Sequence, residues 1–380
     1  MPQLRYSIPL LAALLVGPAH TGRSDTLTER ERASHVLHRL AFGPRPGDLD
    51  RVLARGVDAW IDDQLRAPRR DDPAVRAVLE TWPDLRRSPA ELRRSFPPPA
   101  TLTRLAAGGR LSTEDSIALA TQVRAGRTLV TQLLAARVAR AVVAERQLDE
   151  VLADFWLNHF NVFVGKNAGM RYLLPSYERD VIRPHAMGRF RDLLGAVAKS
   201  PAMLTYLDNT QSVADSTRPT LVDRRVAERR VELARRAVRR GRVVNVDSST
   251  LERVLSRRPR GLNENYAREL LELHTLGVDG GYAQRDVIEV ARALTGWGVR
   301  PGQPDGFFFN RAAHDAGEKV ILGERFEAGR GEDEGDRVLD LLARHPSTAR
   351  HISWKLAVRL VADDPPDALV DRAAEVFRAT

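Results

Sequence analysis

From Ser112 to Phe160 the apolar residues recur at helical spacing over many turns, and this feature does most to limit what the chain can fold into. Leu148, Val151, Leu152, Phe155 and Trp156 fall at i, i+3, i+4, i+7 and i+8, one stripe of an α-helix, and His159 continues it at the next turn. Such a stripe has to be buried, so a helical core is expected. Thr28 and Glu31 form a capping-box pattern ahead of Ala33, Val36, Leu37, Leu40 and Ala41, and Gly43-Pro44 ends that helix. Two short helices follow at 48–55 and 58–65, separated by Gly56. Residues 66–100 are proline-rich and read as a loop-rich connection with one brief helix at Ser88-Pro89. Further helices are expected at 175–184, 187–199, from Ser200-Pro201, at 220–240, 262–276 and 283–295, and again near Gly335, Ser347 and Pro366. Phe307-Phe308-Phe309 and Lys319-Val320-Ile321-Leu322 are the strand candidates, joined around Asp315-Ala316-Gly317. The expected class is mostly α, a multi-helix globular array with one small β-hairpin near 306–323.

A hydrophobic share of 43% argues against wholesale disorder. The absence of cysteine excludes disulfides, thiolate metal sites and cysteine nucleophiles. Of 59 basic residues only Lys166, Lys199, Lys319 and Lys355 are lysine, a bias that a GC-rich genome accounts for. The net charge of +9 is matched by one stretch, Arg218–Arg260, with fourteen arginines against five acids. That stretch suits a polyanion, but it holds no aromatic residue for base stacking, and codon bias is the favoured reading.

The N-terminus carries Arg5, then the apolar run Ile8–Val16, then Gly17-Pro18-Ala19. This is the order of a secretory signal, too short to span a membrane comfortably. Residues 1–19 are read as a signal peptide, with a periplasmic or secreted mature protein. The mature part, 26–380, is read as one large helical domain with an Arg-rich insertion at 213–259. The last helical pattern is still running at Thr380, so the chain reads as truncated there.

Candidate chemistry falls in four places. On the helix from Leu262, Glu264, Asn265, Arg268, Glu269 and Glu272 share one face. The face is either solvated with i, i+4 ion pairs or a cleft whose carboxylates bind a hard cation or act as acid and base. His274 falls on the apolar side with Leu270 and Leu273. His159 ends an apolar stripe, which favours a core role, while Asp154, Asn158 and Asn161 line the opposite face. His314-Asp315 is equally a turn element or a base with its carboxylate. His35 and His38 have metal-compatible spacing without a third ligand, which favours a surface role. Signatures of common proteases, esterases, NTPases and dinucleotide enzymes are missing.

The strings His38–Gly43, Phe155–Phe160, Asn263–Gly277, Ala293–Trp297 and His314-Asp315 together resemble the bacterial domain-of-unknown-function 1800 family, from about residue 30 to the end. The resemblance implies an exported, mostly helical protein of no established reaction, with a possible partner in a co-encoded exported sulfatase-like protein. Two hypotheses follow. In the favoured one, the chain is a non-catalytic envelope binding or assembly factor. In the other it is a metal-assisted hydrolase acting on an envelope polymer or glycan, with Glu269, Glu272, His314 and Asp315 catalytic. Asn158, His159, Asn263, Asn265, Arg268 and His274 would then bind ligand, and a divalent metal is a possible cofactor.

Overall fold

A computed structural model describes residues 27–66, 72–96, 112–226, 228–229, 232, 261–300 and 303–379. Residues 1–19, read from sequence as a signal peptide, most of 220–240 and the remainder of the Arg-rich stretch lie outside these residues. The first helices are α1 Glu29–Leu40, α2 Asp48–Arg55, α3 Val57–Leu65, α4 Pro73–Glu80 and, after a 3₁₀ turn Pro83–Arg86, α5 Pro89–Ser95. Then come α6 Thr113–Val143, α7 Gln147–His159, α8 Met170–Ser176, a π-helical turn Tyr177–Ile182, α9 Arg183–His185, α10 Phe190–Ala198 and α11 Pro201–Tyr206. The remainder is α12 Asn265–Glu272, α13 Gln284–Leu294, β1 Trp297–Arg300, β2 Gln303–Phe309, β3 Lys319–Ile321, β4 Glu324–Phe326, α14 Glu332–Arg344, α15 Pro346–Leu360 and α16 Asp367–Ala379. The protein is mostly helical, as the apolar periodicity requires. Among the described residues no helix is long and apolar enough to cross a membrane.

The chain divides into two compact units, one of residues 1–197 and 344–380, the other of residues 198–343. In the first, α1 starts at the expected capping box, with Thr28 N–H donating to Glu31 Oε2 at 2.8 Å. The stripe on α7 is buried as its spacing predicts. The proline-rich 66–100 region holds more helix than a loop-rich reading allows. Asp72 caps α4, and Ser88 with Glu91 caps α5, so proline sits in the first turn of each helix, where its missing N–H costs nothing.

The expected helix 175–184 is interrupted. Pro184 has no N–H to give the Asp180 carbonyl, and its ring would strike that carbonyl in a normal α-turn. Widening relieves both problems: the N–H of Arg183 bonds the Glu178 carbonyl five residues back.

In the second unit the single hairpin is corrected to two. Phe307, Phe308 and Phe309 pair antiparallel with Val299, Gly298 and Trp297, while Lys319–Ile321 pairs with Glu324–Phe326. Each strand takes its nearest neighbour. Leu322 and Gly323 close the second hairpin with φ of 49° and 82°, the twist that suits a two-residue turn. Trp297 is fully buried against α14. A Cβ on Gly335 would stand 2.1 Å from Trp297 Cζ2, inside van der Waals contact. Gly335→Ala is therefore expected to cost about 1–3 kcal/mol from overpacking, read as a lower urea midpoint with unchanged m-value.

Candidate functional site

His314 and Asp315, the strongest chemical candidates in the sequence, enter a buried network in the second unit. Helix α13 turns Asp286, Glu289 and Arg292 toward the following strands. Asp286 Oδ1 accepts from Leu322 N–H at 2.8 Å and Glu289 Oε2 from Val320 N–H at 3.1 Å. Arg292 forks onto Asp315, with Nε to Oδ2 at 2.8 Å and an Nη to Oδ1 at 3.2 Å, and also binds Glu289 at 2.6 Å. Lys319 Nζ lies 2.5 Å from Glu334 Oε2 and donates to the carbonyls of Asp315 and Gly317. His314 Nδ1 is 2.8 Å from the Thr295 carbonyl, which can only accept, so this nitrogen donates. Nε2 then faces Glu334 Oε2 at 3.4 Å.

His314 and Asp315 are 0% exposed, and Lys319 and Glu334 1%. Two cations, Arg292 and Lys319, meet two anions, Asp315 and Glu334, so the core of the network is balanced. Burial raises the Asp315 carboxyl, but the Arg292 fork, Lys319 and the Gly317 N–H outweigh it and hold the group below its ordinary value. Glu334 is likewise raised by burial and lowered further by His314 and Lys319. Adjacent residues of a regular strand would point apart, and the bend at 313–316 lets both serve one network. That bend is braced by residues thought to open the insertion: Ala214 N–H bonds the Ala313 carbonyl, Ala316 N–H bonds Pro219, and Thr220 bridges to Asp315.

These depressed carboxyls set a pH dependence. A lowered folded-state value stabilises at pH above the unfolded carboxylate range, near 4, and that stability is lost as pH falls through the folded values. Urea midpoints measured downward from pH 6 are expected to drop steeply below about pH 4. Asp315→Asn, which no longer titrates, is expected to flatten the fall; an unchanged slope would contradict the assignment.

The other candidates stand elsewhere. Glu269 is half-buried on α12, its carboxyl raised by burial and by Glu272, with Arg268 opposing. Tyr282 Oη donates to Glu272 Oε2 at 3.5 Å. None of the groups acting on Glu269 belongs to the His314 network. Arg268 binds Glu264 and Gln284, a surface cluster. Asn263 and Asn265 donate to the carbonyls of Asp208 and Leu207, tying the start of α12 to a loop where Asp208 has φ of 59°. His274 is buried past the end of α12, and Leu273, placed on the apolar side by periodicity, is 48% exposed because α12 stops at Glu272.

His159 and Asn158 belong to the first unit. His159 packs among Phe155, Trp156, Phe160 and His351, a core position, while Asn158 and Asp154 are exposed. His35 and His38 are exposed on α1. Among the described residues no group of three or more His, Asp or Glu side chains is placed to hold a metal ion.

Sequence reasoning missed a second ionic cluster, in the first unit. Arg183 donates from Nη1 to both oxygens of Glu150, at 2.9 and 2.8 Å, and from Nε to Glu178 Oε1 at 2.9 Å. Arg137 Nε reaches Glu178 Oε2 at 2.6 Å. Burial raises the Glu178 carboxyl, and Arg183 and Arg137 bring it below normal. Part of the signal was present: Arg140 follows buried Leu133 and Ala136 at helical spacing on α6. A cleft of about 430 Å³ opens beside this cluster, lined by Phe42, Pro44, Val142 and Leu157 among others.

A family model described as a protein of unknown function, DUF1800, matches residues 35–380. The chain belongs to the DUF1800 family. No curated protein and no solved structure matches it. Of the strings that carry the family resemblance, Ala293–Trp297 and His314-Asp315 meet at Thr295, whose hydroxyl accepts from the Asp315 N–H at 2.9 Å. In this DUF1800 chain, two of the strings therefore build one buried joint.

Proposed function

We propose that this DUF1800 protein is an exported envelope protein, periplasmic or secreted, that works by binding or assembly rather than by catalysis, with a co-encoded exported sulfatase-like protein as its partner. The observation behind the choice is the state of His314 and Asp315. The residues best suited to proton transfer are sealed from solvent and committed to Thr295, Arg292, Lys319 and Glu334, so no substrate reaches them without opening the core. Export rests on the charged, apolar and small-residue order of 1–19. The partner rests on the family.

The test is expression with the native N-terminus beside the partner, followed by fractionation, intact mass and co-purification. A mature form beginning near His20 that co-purifies with the partner supports the reading; full-length protein in the cytoplasm and no complex contradict it.

One observation favours the second reading, a metal-assisted hydrolase of an envelope polymer or glycan. Glu269 is raised next to Glu272 on an accessible helix face, the environment an acid–base pair needs. If that reading is correct, Glu269→Gln abolishes turnover while leaving partner binding intact.

A further inference from the structure

Arginines converge on one cleft of the first unit in excess of the acids facing them. The cleft lies between α4, the 3₁₀ turn Pro83–Arg86, α6 and the segment from α8 to α9. It has two lobes of about 280 and 310 Å³ that share Arg76, Leu79, Arg140 and Arg183. In the first lobe Arg76, Arg86, Arg140, Arg179 and Arg183 face one acidic side chain, Glu178; the second lobe adds Arg146 and the acids Asp72, Asp149 and Glu150, so six arginines face four acids over the whole cleft. Leu79, Leu85 and Leu133 supply an apolar wall.

Several of these cations are already matched. Arg183 spans Glu150 and Glu178, and Arg179 binds Asp180 and the Leu85 carbonyl. Arg140 differs. Its side chain is 17% exposed, and its ion pair among the described residues is a 3.5 Å approach to Glu150 Oε1, an oxygen that Arg183 already holds at 2.9 Å. A guanidinium offers five N–H donors, so Arg140 is largely desolvated with only a shared carboxylate beside it. Burial and the neighbouring Arg183 lower its pKa from the ordinary arginine value more than Glu150 and Glu178 raise it.

We propose that this cleft binds an oxyanion, a carboxylate or a phosphate or sulfate monoester carried on a small apolar group, with Arg140 as the principal ligand and Arg76 opposite it. The planar fork of arginine matches two oxygens of such a group. Much of the desolvation of Arg140 is already present in the fold, so an incoming anion gains attraction without that cost. The leucine wall takes the apolar part.

The test uses the full chain, titrated calorimetrically with phosphate, sulfate, phenyl phosphate and benzoate at constant ionic strength set with chloride. Saturable binding is expected, tighter for phenyl phosphate or benzoate than for the bare ions. The phenyl phosphate and benzoate arms tell an ester ligand from a carboxylate. Arg140→Gln is expected to weaken the tightest ligand by about tenfold or more while its melting temperature in chloride stays that of the parent. Arg76→Gln, on a different helix, is expected to weaken it as well. Failure of all four anions to bind, unchanged affinity in either variant, or unfolding of Arg140→Gln in chloride would overturn the proposal, the last because it marks Arg140 as a structural ion pair.

Discussion

Replacing Asp315 with alanine is expected to lower the stability of the second unit by about 3–5 kcal/mol, the usual result of removing one partner from a buried ionic network. The loss is large because the substitution strands the buried Arg292 fork, takes the acceptor from the Gly317 N–H and removes a carboxylate beside Lys319. Arg292 Nε loses its acceptor, one Nη keeps only the Glu318 carbonyl, and the charge balance between Arg292, Lys319, Asp315 and Glu334 is broken inside the core. Native-state hydrogen exchange across α13 and β3 measures this unit directly. A drop of a few kcal/mol confined to amides that open with this unit is the expected outcome. A variant that folds with parental protection would show that the carboxylate is not needed for the fold, and a catalytic role for Asp315 would regain its force.

Glu178→Gln is expected to cost the first unit a similar amount, about 3–5 kcal/mol. Glu178 sits in the π-helical turn, and its two oxygens take Arg183 and Arg137. The amide keeps the shape and removes the charge, leaving two guanidiniums facing each other across a buried space. Thermal unfolding read by exchange in α8 and α9 checks it. Glu178→Gln combined with Arg183→Met is expected to be less damaging than Glu178→Gln alone, because the second change removes one of the two cations that faced Glu178, while Arg140 stays beside Glu150. If the double variant is the worse of the two, the pair is not coupled.

How much of this was legible in the sequence depends on which force decides each position. Helix positions were readable because apolar periodicity and caps are local: Thr28 with Glu31, Ser88 with Glu91, and the α7 stripe all appear where their spacing puts them. Strand pairing was not, because Phe307–Phe309 and Lys319–Ile321 look equally fit to pair with each other. The turn that closes the second hairpin, at Leu322-Gly323, lacks the Asn-Gly signature of a tight hairpin. The inner face of α13 shows a further limit. Val287, Val290, Ala291 and Leu294 repeat at helical spacing and are buried, yet Asp286 and Arg292 are buried too. Charges enter a core only when matched, and their partners Asp315 and Leu322 lie more than twenty residues away in sequence. The arginines of the first unit were hidden differently: in a chain with 55 arginines, the spacing of Arg140 from Leu133 and Ala136 is a faint mark of burial, and Arg183 carries none. For Glu269 and Glu272, by contrast, spacing correctly placed both carboxylates on one accessible face.

The central claim is that the charged residues around His314 close the core instead of performing chemistry, and a double-variant cycle on Lys319 and Glu334 tests it most directly. Lys319→Met and Glu334→Met are each expected to destabilise by about 3–5 kcal/mol, and the double variant by at least about 2 kcal/mol less than their sum, since methionine against methionine leaves no buried charge of that pair unmatched. Single variants that unfold at the parental urea midpoint, or losses that simply add, would contradict it.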